Sequence, residues 1–133
     1  MLIEYSQIIL ISISALLLIC FLQSGMDKIN DYHGNLTWLN EHFSNTLLKH
    51  TVPFLLLSIT ILELTAALSF ALAIMGLVAY KLPLTLSSIT FLCLFAGQRI
   101  AKDYEGAYVI VVYFILTVLG FIVLLIDSAI NVK

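Results

Sequence analysis

The chain has 133 residues, of which 62% are hydrophobic and 11% charged, with a formal net charge of -2, and this exceeds the roughly 45–50% apolar content of soluble domains. So little polar surface cannot cover a water-soluble globule, and the six scattered basic residues form no stripe able to neutralise a phosphate backbone, which excludes nucleic-acid binding. Because a helical crossing of a bilayer takes about 20 apolar residues, the length suits four crossings in a single transmembrane domain over residues 1–133 and leaves no room for a soluble domain.

The first span covers residues 5–25, where ILISISALLLICFL carries no charge, and it is expected to stop at the turn-forming Ser24-Gly25, with Asp27 and Lys28 beyond. Glu4 is the only charge before it, so there is no basic n-region, and no small-residue cleavage site follows; it reads as a retained anchor. Residues 26–51 turn polar and hold Asp27, Lys28, Asp31, His33, Glu41, His42, Lys49 and His50, while Leu36, Trp38, Leu39, Phe43 and Leu47 recur at mostly helical spacing. That pattern predicts an amphipathic, interface-lying helix or a re-entrant element.

The second span opens at Val52-Pro53, where proline is tolerated in a first helical turn, and covers 52–78 with one acid, Glu63. It exceeds the hydrocarbon thickness, so either it tilts or its end near Gly76 unwinds. Lys81-Leu82-Pro83 marks a tight turn, and the third span, 84–98, carries Thr85, Ser87, Ser88 and Thr90, hydroxyls able to bond back to their own helix or across to a neighbour. The charged loop GQRIAKDYEGA follows, and the fourth span, 107–126, ends before Asp127; Tyr104, Tyr108 and Tyr113 suit an aromatic belt at one membrane face. The pattern predicts an all-α, integral membrane, up-down four-helix bundle with an amphipathic segment between its first two helices. Both termini then share one side, and Lys28, Lys49, Arg99 and Lys102 on the opposite loops, against Lys81 and Lys133, point those loops to the cytoplasm.

Glu63 lies about eleven residues into its helix, roughly 16 Å deep at 1.5 Å per residue. An ionised carboxyl near the bilayer centre costs at least about 2.5–3.5 kcal/mol, so it must be protonated, hydrogen-bonded or paired inside the bundle. Two readings stand: a proton-handling or ligand-binding carboxyl, with Glu63 the candidate catalytic residue, or a hydrogen-bonded tie to a Ser or Thr of a neighbouring span. Arg99 and Asp103 are four apart and suit an ion pair on one helical turn as interface anchors; alternatively Gln98, Arg99, Asp103 and Tyr104 build a ligand-binding mouth with Lys28 from the first loop. Cys20 and Cys93 lack CxxC spacing, which leaves two buried apolar thiols or, if the helices bring them together, a redox pair. His33, His42 and His50 do not follow the i, i+4 spacing of a helical metal pair and read as surface histidines near headgroups, so no metal site is expected.

The segment FLQSGMDKI (Phe21 to Ile29), the membrane glutamate in LELTAAL (Leu62 to Leu68) and the run FAGQRIAKDYEGAYVIVVYF (Phe95 to Phe114) resemble the DoxX-like family of small four-helix bacterial membrane proteins. The resemblance spans most of the chain, and its most specific parts are Gly25 with Lys28, Glu63, and the stretch from Arg99 to Ala107. It implies a multi-pass protein of the bacterial inner membrane, since some relatives are associated with quinone-linked sulfur oxidation or with oxidoreductive-stress complexes. The polar segment between the first two helices is longer than a minimal member needs, and the missing CxxC argues against a dithiol mechanism.

The expectation is an accessory subunit of a membrane complex, quinone-linked or redox-related, that binds other membrane subunits, a copy of itself, or a lipid or quinone. No haem-ligating histidine lies within a span and no nucleotide fingerprint occurs, so any redox cofactor belongs to a partner. The alternatives are a stand-alone quinone-dependent oxidoreductase with Glu63 as proton donor, or a small proton-coupled transporter with Glu63 as coupling carboxyl.

Overall fold

The computed structural model describes residues 1–132, so Lys133, counted above among the terminal charges, lies outside the described residues. The chain is all-α: α1 (Leu2–Asn30), α2 (Tyr32–His42), α3 (Val52–Ile74), α4 (Lys81–Ile100) and α5 (Tyr104–Asn131), with no strand among the described residues. By length and composition α1, α3 and α5 are able to cross a membrane; α4, which begins at Lys81, carries Arg99 in its last turn and is studded with hydroxyls, does not reach that threshold.

Each long helix buries a stripe at helical spacing. On α1 the stripe is Leu10, Ile13, Ser14, Leu17 and Phe21, and on α3 it is Val52, Leu56, Thr60, Glu63, Ala67 and Phe70. The α1 stripe packs on α3 and α5, and α4 packs on α5 and α3, closing a ring of helix contacts. Phe21 sits at its centre, 6.3 Å from the Phe70 ring and 4.8 Å from Phe91, which in turn stacks on Tyr113 at 5.9 Å. Polar ties sit within the same packing: Ser87 of α4 shares a 2.8 Å hydrogen bond with Thr117 of α5, and Ser6 of α1 donates to the buried Asp127 of α5. Thr85 and Thr90 instead bond back to Lys81 and Leu86 carbonyls of their own helix.

Several boundaries differ from those expected. The first helix does not stop at Ser24-Gly25 but continues to Asn30, because Gly25 serves a tertiary contact and not a turn. The break falls at Asp31, whose carboxylate accepts from the Gly34 amide at 3.1 Å and so caps α2. At the end of α3, Gly76 adopts φ 76°, its amide bonds to the Ala73 carbonyl at 3.0 Å and the Leu77 amide to Leu72 at 2.9 Å. This paired closure through a left-handed residue unwinds the chain there, and the helix does not continue to residue 78. Lys81-Leu82-Pro83 is not a turn either, but the first turn of α4, where a proline leaves no helical bond unmade.

The α4 to α5 corner uses the same closure with a non-glycine residue. Lys102 has φ 60°; its amide bonds to the Arg99 carbonyl at 3.2 Å and the Asp103 amide to Gln98 at 2.9 Å. Asp103 then caps α5 by accepting from the Gly106 amide at 2.9 Å. A left-handed conformation costs an L-residue roughly 1–2 kcal/mol, so Lys102→Gly is expected to stabilise the protein by about 1 kcal/mol. Thermal unfolding in detergent checks this, with an unchanged or lowered midpoint as the contrary result.

Candidate functional site

Glu63 occupies a core position of the α3 stripe, so the helix periodicity that buries Thr60, Ala67 and Phe70 also buries a carboxylate. Its side chain is 2% exposed. Two residues of α1, four apart and therefore on one face, meet it: Ser24 Oγ donates to Glu63 Oε1 at 2.9 Å, and Lys28 Nζ lies 2.9 Å from Glu63 Oε2. This second contact is an ion pair. The ammonium aligns on Ser24, donating to its hydroxyl at 2.8 Å and reaching its backbone carbonyl at 3.3 Å. A serine hydroxyl has one proton and two lone pairs, and Ser24 uses both kinds: it accepts from the lysine and donates to the glutamate.

Gly25 makes this approach available. A β-carbon there would stand 2.6 Å from Leu64 Cδ2 and 2.8 Å from Leu64 Cγ, closer than atoms pack, so a larger residue requires the Leu64 side chain to move aside. The pairings Phe21 with Phe70 and Gly25 with Leu64 run in opposite directions along the two helices, which makes α1 and α3 antiparallel. Glu63 is central in α3 but meets the last two turns of α1, since Lys28 is two residues from the helix end at Asn30. The lysine therefore keeps 16% of its side chain exposed at the loop end of the assembly while its charge reaches inward.

The expected mouth does not form as one cluster. Lys28 belongs to Glu63, the Arg99 guanidinium lies over the Tyr104 ring at 4.6 Å, and Asp103 faces His42. The expected Arg99–Asp103 pair is absent among the described residues, because α4 ends at Ile100 and the left-handed Lys102 carries Asp103 off that helix. His42 is half-buried rather than a surface histidine. Its Nε2 is 2.9 Å from Gln98 Oε1 and 3.8 Å from Asp103 Oδ2, its side chain is only 16% exposed, and its ring stacks on Trp38 at 4.4 Å. His33 and His50 are exposed. Sequence reasoning missed Ser24 and His42; the i, i+4 spacing of Ser24 and Lys28 was the available signal for the first, and nothing local marked the second.

Beside this polar cluster a cavity of 340 Å³ opens between α2, the start of α3 and the end of α4, lined almost wholly by apolar side chains. Cys93 is among its lining residues and Cys20 is not; both are free thiols, Cys93 exposed and Cys20 half-buried, so neither is the fully buried thiol expected. Among the described residues no three His, Cys, Asp or Glu side chains gather as metal ligands would. Comparison with family models, with curated proteins and with solved structures finds no match.

A buried pair is costly to break because the remaining charge is left uncompensated, by about 3–5 kcal/mol, whereas an apolar replacement of both partners is often neutral. Lys28→Met is therefore expected to destabilise the protein by that amount and Glu63→Gln by less, while Lys28→Met with Glu63→Leu together recovers most of the loss. A double-mutant cycle on thermal unfolding in detergent measures the coupling; additive losses would show that the two charges do not interact.

Proposed function

We propose that α1, α3, α4 and α5 each cross the bilayer in an up-down bundle, and that the chain is a DoxX-like accessory subunit of a redox-related, quinone-linked complex in the bacterial inner membrane. The reading is supported above all by the state of Glu63: its charge is balanced within the chain by Lys28 and its other oxygen is held by Ser24. A carboxylate so engaged ties helices together. A coupling carboxyl or proton donor has to exchange its proton with a path to water or to substrate, and Glu63 is not among the residues that line the apolar cavity.

Packing supports the proposed fourth crossing. α4 has its polar stripe, Ser87 and Thr90, buried against its neighbours, Ser87 on Thr117 of α5, so its low hydropathy lies inside the assembly and not toward lipid. Large apolar side chains such as Ile19, Leu68, Leu92, Ile115 and Leu125 are exposed instead, as lipid-facing or partner-facing surfaces require. The basic residues of the two loops point those loops to the cytoplasm and both termini outward.

Isolation from the native membrane in mild detergent tests the reading. The expected result is a stoichiometric set of membrane partners that is retained with Glu63→Gln, and no turnover by the isolated chain. Quinone reduction or proton flux by the isolated protein, abolished in Glu63→Gln, would instead make the chain an oxidoreductase or a transporter. Cytoplasm-active reporters fused at the α4–α5 corner are expected to be active, and silent reporters there would reverse the orientation.

A further inference from the structure

We infer that the apolar cavity holds one acyl chain of a phospholipid whose phosphate rests on Lys49, in the connection between α2 and α3. The inference rests on the membrane reading above but not on the accessory-subunit reading. On α3 the cavity lining runs from Val52, the first residue of the helix, to Ile59, and on α4 from Ile100, the last, back to Cys93. Seven residues of helix are about 10 Å. The cavity therefore reaches from the loop end through roughly two thirds of one leaflet, half of a hydrocarbon core about 30 Å thick. Trp38 and Leu39 of α2 form a further wall, so a chain inside is held beneath α2 and not merely laid against the outer surface. His42 and Gln98, also in the lining, are engaged with each other at 2.9 Å, and Asp103 stands 3.8 Å from the imidazole, an acid that disfavours a phosphate at that corner.

The other side of Ile100 has the opposite character. That residue also lines a second hollow, of 730 Å³, along residues 44–50, whose lining includes Asn45, Lys49 and His50 and, among the described residues, no acid. Lys49 and His50 are exposed and enter no ion pair among the described residues. Lys28, by contrast, is held by Glu63. Arg99 lies over the Tyr104 ring and keeps its charge, and the exposed Lys102 follows Ile100 by two residues, so both add to the positive potential on this side. A lysine ammonium is a compact charge that binds phosphate, and basic pockets at the ends of membrane helices take lipid heads. Basic hollow and apolar cavity meeting at one residue reproduce the profile of a phospholipid, phosphate above and chain below. A diacylglycerol would fill the cavity and leave Lys49 without a counter-charge.

Trp38, the one tryptophan of the chain, reports on the site from its wall. Delipidated protein in detergent micelles is titrated with phosphatidylglycerol brominated along its acyl chains and, separately, with a diacylglycerol carrying the same chains; bromine quenches indole emission on contact. The expected result is quenching that saturates at one phosphatidylglycerol per protein, with the diacylglycerol at least tenfold weaker. Lys49→Gln is expected to weaken phosphatidylglycerol at least tenfold while leaving the diacylglycerol unchanged, and Lys49→Arg to bind as the original chain does, a split that general misfolding would not produce. Ala96→Phe, placing a ring at the cavity wall, is expected to weaken both lipids. Quenching that rises linearly with either lipid, equal affinity for the two, or phosphatidylglycerol binding unchanged in Lys49→Gln overturns the site. The crossings are read by reporters in cells and the subunit reading by co-isolation, so failure here is distinguishable from failure of either.

Discussion

Everything in the arrangement of α1 on α3 depends on one requirement: a glutamate at a core position of an apolar helix must find a cation. Burying an unpaired carboxylate is prohibitive, and Lys28 is the cation within reach. Meeting it takes a close helix approach, with Gly25 against Leu64, small residues at Ala66 and Ala67, and a hydroxyl at Ser24 that bridges the ammonium and the carboxylate. The pair thus sets the register of two helices whose remaining contacts, such as Phe21 on Phe70, are apolar and tolerate sliding.

That register has a geometric consequence at the loop end. Gly25 is level with Leu64: twelve residues of α3 precede Leu64, about 18 Å of helix, whereas five residues of α1 follow Gly25, about 8 Å. Roughly the first two turns of α3 therefore reach past the end of α1. Left without that neighbour, they are covered by α2 and the connection to it, with Phe43 and Val52 buried at the seam. The cover is thin, since α2 buries none of its own residues, and the space left beneath it is the cavity. Ion pair and cavity are thus linked: the first sets the offset that opens the second.

Much of the helical layout was legible because hydrophobic periodicity is local. The helical stretches, the amphipathic α2 and the anomaly of Glu63 all show in the sequence, as does the alternative that the chain unwinds near Gly76. What was not legible depends on partners. Ser24-Gly25 has turn-like composition, yet its glycine is needed by Leu64 across the helix interface, information that no window of neighbours contains. Lys102 in a left-handed conformation contradicts its own propensity, so the i, i+4 reading of Arg99 and Asp103 failed. His42 belongs to a segment that reads as surface and becomes enclosed only once α4 and α5 bring Gln98 and Asp103 beside it.

The polar groups inside the assembly are graded along its length, and the grading carries physical sense. In the middle, Ser87 and Thr117 form a neutral hydroxyl pair, which asks least of an apolar medium and contributes about 1 kcal/mol, the scale of an interhelical hydrogen bond in membranes. Charged groups lie toward the helix ends: Asp127 with Ser6 and Asn131 at the terminal end, Lys28 with Glu63 toward the loop end, where a lysine stem can keep contact with water. The two ends differ in kind. Among the described residues Asp127 is held by the neutral side chains of Ser6 and Asn131, whereas Glu63 is met by a full charge. A chain that needed polar contacts for cohesion alone would be served by hydroxyl pairs throughout. The charge pair instead fixes α1 against α3, the helix whose overhang supplies one wall of the cavity.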